Sequence, residues 1–122
     1  DGNQTRDFVH VYDLVDAAIK AAERGKNGEV YNVGSGKEVS VNLIANIIGG
    51  SKVNVPKRPG ETDRSLADIA KIMEDLNWRP SIAIEEGAGM LLENINSWKE
   101  AQVWTPEKIK KINKTLSKYL KS

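Results

Sequence analysis

The chain contains no cysteine, so disulfides and thiolate metal sites are closed to it, and a reducing compartment is compatible with it. It has a single histidine, His10, so no histidine-rich metal cluster can form. No apolar run approaches the ~20 residues that a membrane-spanning helix needs. Neither sign of charge dominates: 18 Lys and Arg stand against 17 Asp and Glu, a formal net charge of +1. That balance gives no electrostatic reason to expect nucleic acid as a partner. The chain opens on Asp1-Gly2-Asn3, without a methionine or a signal-like stretch, and reads as a piece of something longer that works in the cytoplasm. Its 122 residues are enough for one domain.

What is present alternates between strand-like and helix-like patterns, which predicts a mixed α/β fold of short strands and helices. Phe8-Val9-His10-Val11-Tyr12 reads as a short strand from its β-branched and aromatic content. Asp13 then reads as the N-cap of a helix ending at Gly25, with Leu14, Ala17, Ala18, Ala21 and Ala22 as its buried stripe. Glu29 to Val33 reads as a second strand, followed by the loop Gly34-Ser35-Gly36. Ser40 caps a second helix that Gly49-Gly50 stops. Lys52 to Val55 reads as a third strand, with Pro56 placing it at an edge or an end. Leu66, Ile69, Ala70, Met73 and Leu76 predict a helix from near Ser65, closed by a left-handed Asn77 and by Arg79-Pro80. A fourth helix carries Ala88, Leu91, Leu92, Ile95 and Trp98. Thr105-Pro106-Glu107 reads as the start of a fifth, with Ile109, Ile112, Leu116 and Leu120 on its apolar face.

The stretch most suited to a ligand is Arg58-Pro59-Gly60-Glu61-Thr62-Asp63-Arg64. It lies between a strand pattern and a helix pattern, where α/β proteins place binding groups. Arg58 and Arg64 offer planar forks of donors matched to phosphate or carboxylate, and Glu61 can accept from hydroxyls. The competing reading is a solvated loop with a surface ion pair. Arg6, beside Asp7, is either a solvated loop charge or a second anion-binding arginine converging with Arg58, and spacing along the chain cannot choose. Gly34-Ser35-Gly36 lacks the third glycine of a dinucleotide fingerprint, because position 39 is Val39. A lone histidine between two valines is more often a hydrogen-bonded structural residue than a base or ligand. No tyrosine has a lysine four residues on and no serine sits in a nucleophile elbow, so no catalytic residue is visible. Lys108, Lys110, Lys111, Lys114, Lys118 and Lys121 face one acid, Glu107. They form either the solvated face of a packed helix or a contact surface for a membrane or an acidic partner.

Three blocks in order carry a family resemblance. They are Gln4-Thr5-Arg6-Asp7-Phe8-Val9-His10-Val11-Tyr12-Asp13 with the residues up to Ala17, then Val30-Tyr31-Asn32-Val33-Gly34-Ser35-Gly36, then Arg58-Pro59-Gly60-Glu61 with Ser65 to Lys71 and Leu76-Asn77-Trp78-Arg79-Pro80. Together they resemble the carboxyl-terminal, substrate-binding portion of extended short-chain dehydrogenases/reductases acting on nucleotide sugars, with UDP-sugar 4-epimerases the nearest match. The resemblance covers about residues 1 to 95. It implies that Arg6 and Arg58 hold the diphosphate of a nucleotide sugar, expected to be UDP-linked, and that Glu61 holds the ribose hydroxyls, although the family usually has Asp there. It implies NAD in the full-length enzyme and none bound by this chain alone, because the dinucleotide-binding amino-terminal half and its tyrosine-lysine pair are missing. The chain alone is then expected to be inactive, with no catalytic, cofactor-binding or metal residue of its own. A 4,6-dehydratase of the same family, a homodimeric full-length enzyme and a non-catalytic module using the basic tail all stay open. Residues 1–98 are expected to form the substrate-binding portion and 99–122 a basic amphipathic helix packed on it or appended to it.

Overall fold

The computed structural model describes residues 1–55, 57 and 60–119, apart from the side chains of 116–119. Its elements in order are β1 (Thr5–Asp7), α1 (Val11–Arg24), β2 (Glu38–Ser40), α2 (Val41–Ile48), α3 (Ala70–Leu76) and α4 (Ile84–Glu93), then a 3-10 turn (Ile95–Trp98) and α5 (Pro106–Tyr119). β1 and β2 pair antiparallel, with Thr5 opposite Ser40, Arg6 opposite Val39 and Asp7 opposite Glu38. No helix among the described residues is long and apolar enough to cross a membrane.

The core is small. Ala17 of α1, Ile72 and Leu76 of α3, and Trp78 are buried, and Ala21, Tyr31, Val33 and Ile69 pack against them. α1 therefore lies on α3 across an extended segment, residues 30–33. α2 packs on α4, and Gly87 is buried where α4 crosses His10. A Cβ at Gly87 would stand 3.0 Å from the His10 ring.

Most of the expected punctuation is present. The Ser40 hydroxyl accepts from Leu43 N at 3.2 Å and caps α2, and Gly49 closes that helix at φ 79°. Asn77 ends α3 in the left-handed conformation at φ 49°. Thr105 Oγ1 accepts from Lys108 N at 3.3 Å at the start of α5. Of the expected apolar face of α5, Ile109 is half-buried and Ile112 is 41% exposed. The Leu116 side chain and Leu120 lie outside the described residues.

Several expectations need correction. Phe8 to Tyr12 is not a strand: the pairing stops at Asp7, and Val11 and Tyr12 already belong to α1. The β-branched residues there open a helix because His10, not Asp13, is its N-cap, its Nδ1 accepting from Tyr12 N at 3.2 Å. Of the expected stripe on α1, Ala17 is buried and Ala21 half-buried, while Leu14, Ala18 and Ala22 are exposed. Asp13 takes the inner position instead. Neither Glu29–Val33 nor Lys52–Val55 is a strand, because a strand exists only in a ladder and no described segment pairs with either. α3 begins at Ala70 rather than near Ser65. Ala67 N donates to Asp7 and Ala70 N to Asp68 Oδ1, so these backbone donors are spent before a helical ladder can start. Pro56, Arg58 and Pro59 lie outside the described residues.

Candidate functional site

The expected site has two walls, β1 and the loop that ends at Arg64. They are joined at the backbone, Thr5 N donating to Asp63 O at 2.9 Å. Gly60 turns the loop at φ 75°, a conformation that a side chain would strain. The turn brings Glu61 to Arg6, whose Nη2 donates to Glu61 Oε1 at 3.5 Å, with both side chains largely withdrawn from solvent at 28% and 18% exposure. Arg6 Nη1 donates to its neighbour's carbonyl, Thr5 O, at 2.7 Å. The guanidinium is thus anchored on one side by the strand and met on the other by a carboxylate. Arg58 lies outside the described residues, and Glu61 is three positions further along the same loop.

Arg64, the other arginine of the stretch, is committed elsewhere. It forks onto Glu38 of β2, Nε donating to Oε1 at 3.0 Å and Nη2 to Oε2. Thr5 Oγ1 donates to the same carboxylate at 2.9 Å. Hydrogen bonds from Arg64 and then Thr5 hold the Glu38 carboxyl below its ordinary value. This pair ties the loop to β2 and leaves Arg64 without a free fork. Lys57 is paired with Asp63 within the loop. A cleft of about 1200 Å³ opens beside this junction, walled by Thr5, Glu61 and Arg64, by Val41 and Ala45 of α2, and by Ile109 of α5.

Asp7, expected as a loop charge, is an internal anchor. Its Oδ1 accepts from Ser35 N and Ser35 Oγ, each at 2.6 Å, and its Oδ2 from Gly36 N at 3.0 Å and Ala67 N at 3.2 Å. Burial alone raises its pKa, but the Ser35 hydroxyl and then the Ser35, Ala67 and Gly36 amides outweigh it, so the pKa is lowered. The Ser35 and Gly36 amides of this loop already cradle an anion, and it belongs to the protein. The loop does not fit a dinucleotide pyrophosphate.

Asp13 does the same work in the first turn of α1. It is 4% exposed, the one buried charged residue among those described. Ser81 N at 3.1 Å, Ser81 Oγ at 2.7 Å and Ile82 N at 3.0 Å donate to it and fix the entry to α4. Here too burial raises the pKa, and the Ser81 hydroxyl and the two amides more than reverse it. Sequence reasoning missed both anchors. For Asp13 there was a signal: it shares the four-residue spacing of Ala17 and Ala21 and so belongs to the inner stripe.

The family model described as GDP-mannose 4,6 dehydratase matches residues 1–91. The UDP-glucose 4-epimerase of Mycolicibacterium smegmatis is 36% identical over 100 residues, covering 76% of this chain and 32% of the relative. A solved UDP-glucose 4-epimerase with UDP-glucose from Thermotoga maritima superposes with a TM-score of 0.74 at 35% identity, covering 82% of this chain and 34% of that one. A UDP-glucuronic acid 4-epimerase from Bacillus cereus, solved in complex with UDP-glucuronic acid and NAD, gives a TM-score of 0.69 at 33% identity, covering 80% and 33%. The chain thus spans about a third of the length of the relatives it matches.

Proposed function

The chain belongs to the nucleotide-sugar epimerase and dehydratase family of extended short-chain dehydrogenases/reductases, and from that premise we propose that it is the nucleotide-sugar-binding portion of a NAD-dependent UDP-sugar 4-epimerase. The observation that carries the reading is the meeting of Arg6 and Glu61 where the loop folds onto β1. Arg6 is held by the strand with part of its fork turned to Glu61, and the second arginine of the reading is Arg58, three positions before Glu61 in the sequence. Two guanidiniums against a diphosphate give charge-assisted, planar recognition that lysines would not reproduce. The reading gives the ribose hydroxyls to Glu61, since a carboxylate accepts from hydroxyls.

In the whole enzyme NAD takes a hydride from the sugar and returns it. The residues of this chain bind and orient the nucleotide sugar, which contributes through positioning. Residues 1–98 are the substrate-binding portion in this reading, and the basic segment that follows, with α5, is packed on it or appended to it. The full-length enzyme is cytoplasmic and compatible with a homodimer. The chain alone is inactive.

A second reading, a 4,6-dehydratase, is favoured by the description of the matching family model. The test separates the two. The protein that carries this chain is incubated with UDP-glucose and NAD, and the sugar is followed by proton NMR. Formation of the 4-epimer is the expected result. A 4-keto-6-deoxy product would move the reading to the dehydratase. A panel of UDP-, dTDP- and GDP-sugars left unchanged would overturn both.

A further inference from the structure

The cleft that Glu61 lines has an apolar side that neither a diphosphate nor a ribose would use. It holds about 1200 Å³, more than a ribose at Glu61 can fill. Val41 and Ala45 of α2 contribute to one apolar wall. Trp104, with Ile109 and Ile112 of α5, contributes another from the tail.

The start of α5 places Trp104 there. Thr105 Oγ1 accepts from Lys108 N at 3.3 Å, and Lys108 Nζ donates to Val103 O at 3.1 Å. Ile109 N donates to Thr105 O at 3.0 Å. These bonds hold the backbone on both sides of Trp104. With Thr105 as the cap, Trp104 is the residue before it and Ile109 the fourth of the helix, the two positions whose side chains pair at a helix start. Both line the cleft, yet Trp104 is 57% exposed. A tryptophan fixed at its backbone, with more than half of its surface open beside a cleft, has a ring face to offer a ligand.

We propose that the tail supplies the outer wall of a nucleobase pocket, in which Trp104 stacks on one face of the base and Val41 and Ala45 cover the other. This rests on the functional reading for the nucleotide and for its ribose at Glu61. The base is bonded to that ribose, so it must enter the space next to Glu61. The apolar part of the same cleft suits a flat ring with apolar faces. Stacking accepts every base, because each has a π-face. Trp104 therefore contributes affinity for the nucleoside and leaves the choice of base to polar groups.

The test is titration of the intact protein that carries this chain with UDP, followed by tryptophan fluorescence and by calorimetry. Trp104→Ala should weaken UDP about fivefold or more, as the loss of one base–aromatic stack does. Trp104→Phe keeps an aromatic face and should bind within about threefold of the wild type, whereas Trp104→Leu should be as weak as Trp104→Ala. UDP should quench the wild-type fluorescence, and Trp104→Phe should lose that quenching. Wild-type affinity in Trp104→Ala would overturn the proposal. Equal affinity in Trp104→Leu and Trp104→Phe would overturn it too, since a packing role needs only apolar bulk. Quenching of wild-type size in Trp104→Phe would do the same. Arg6→Ala, titrated in parallel, separates this outcome from the functional reading. If Arg6→Ala weakens UDP and Trp104→Ala does not, only the base pocket falls. A wild type that does not bind UDP removes both.

Discussion

Arg6 and Glu61, 55 positions apart in sequence, meet at 3.5 Å. The contact joins a three-residue strand to a loop whose described residues, 57 and 60–64, belong to no helix or strand. It depends on the backbone bond from Thr5 to Asp63 and on the fork between Arg64 and Glu38. The loop is therefore placed by β1 and β2 together. Arg6 on the strand is engaged by Thr5 O and by Glu61, and the arginine that looked available, Arg64, is the clamp.

The Asp7 anchor predicts acid sensitivity. Its folded pKa lies below the ordinary 3.8, so its stabilisation is present above that value. It is lost as pH falls from about 3.8 through the lowered folded value. Asp7→Ala should cost about 2 kcal/mol at neutral pH, by leaving the Ser35, Gly36 and Ala67 amides without their acceptor. Asp7→Asn should flatten the acid limb of a stability-against-pH curve measured by denaturant melts.

Gly34 should tolerate no side chain. A Cβ there would stand 2.6 Å from the Ala67 Cβ and 2.6 Å from Asp7 Oδ2. Gly34→Ala should destabilise by about 1–3 kcal/mol through overpacking. It should also shift the acid limb toward that of Asp7→Asn, because the same clasp is opened. Thermal melts at two pH values check both effects.

Much of the fold was legible where the signal is local. Ser40, Gly49, Asn77 and Thr105-Pro106 act within one turn of their own positions, and each is found in its expected role. Val11 and Tyr12 misled because β-branched and aromatic content marks a strand only when a partner exists. Glu29–Val33 has the right residues for a strand, and the pairing is what a single segment cannot contain. Asp7 and Asp13 were misjudged for the same reason. Their donors lie 28 to 69 positions away, and nothing adjacent announces them. For the site, the residue types Arg6 and Glu61 were readable, whereas the clamp between Arg64 and Glu38 was a fact of folding.

Trp78 has no exposed surface, and its indole Nε1 is buried without a hydrogen-bond partner among the described residues. Trp78→Phe removes that orphan donor together with some packing, and the two effects oppose each other. It should change stability by no more than about 1 kcal/mol, whereas Trp78→Ala should cost about 3–5 kcal/mol. Equal losses in chemical denaturation would show that the indole N–H has a partner in solution.

Deleting residues 99–122 should lower the melting temperature. A fully buried Ile contributes roughly 1.5–3 kcal/mol, and Ile109 and Ile112 are only partly covered, so the helix should contribute about 2 kcal/mol through them. If stability is unchanged but binding to anionic liposomes or to a partner is lost, the tail is a contact surface and not a packed element.

The central claim is that Arg6, Arg58 and Glu61 make one nucleotide-sugar site, and titration calorimetry on variants of the full-length enzyme tests it most directly. Each variant is titrated with the nucleotide sugar and with free nucleoside diphosphate. Charge-assisted hydrogen bonds contribute about 1.5–3 kcal/mol, so Arg58→Ala and Arg6→Ala should each weaken both ligands about tenfold or more, with NAD retention unchanged. Arg58→Lys should recover only part of the loss, because an ammonium lacks the fork. Glu61→Gln should act mainly on the preference for ribose over deoxyribose nucleotides. Wild-type affinity in Arg6→Ala or Arg58→Ala would contradict the site.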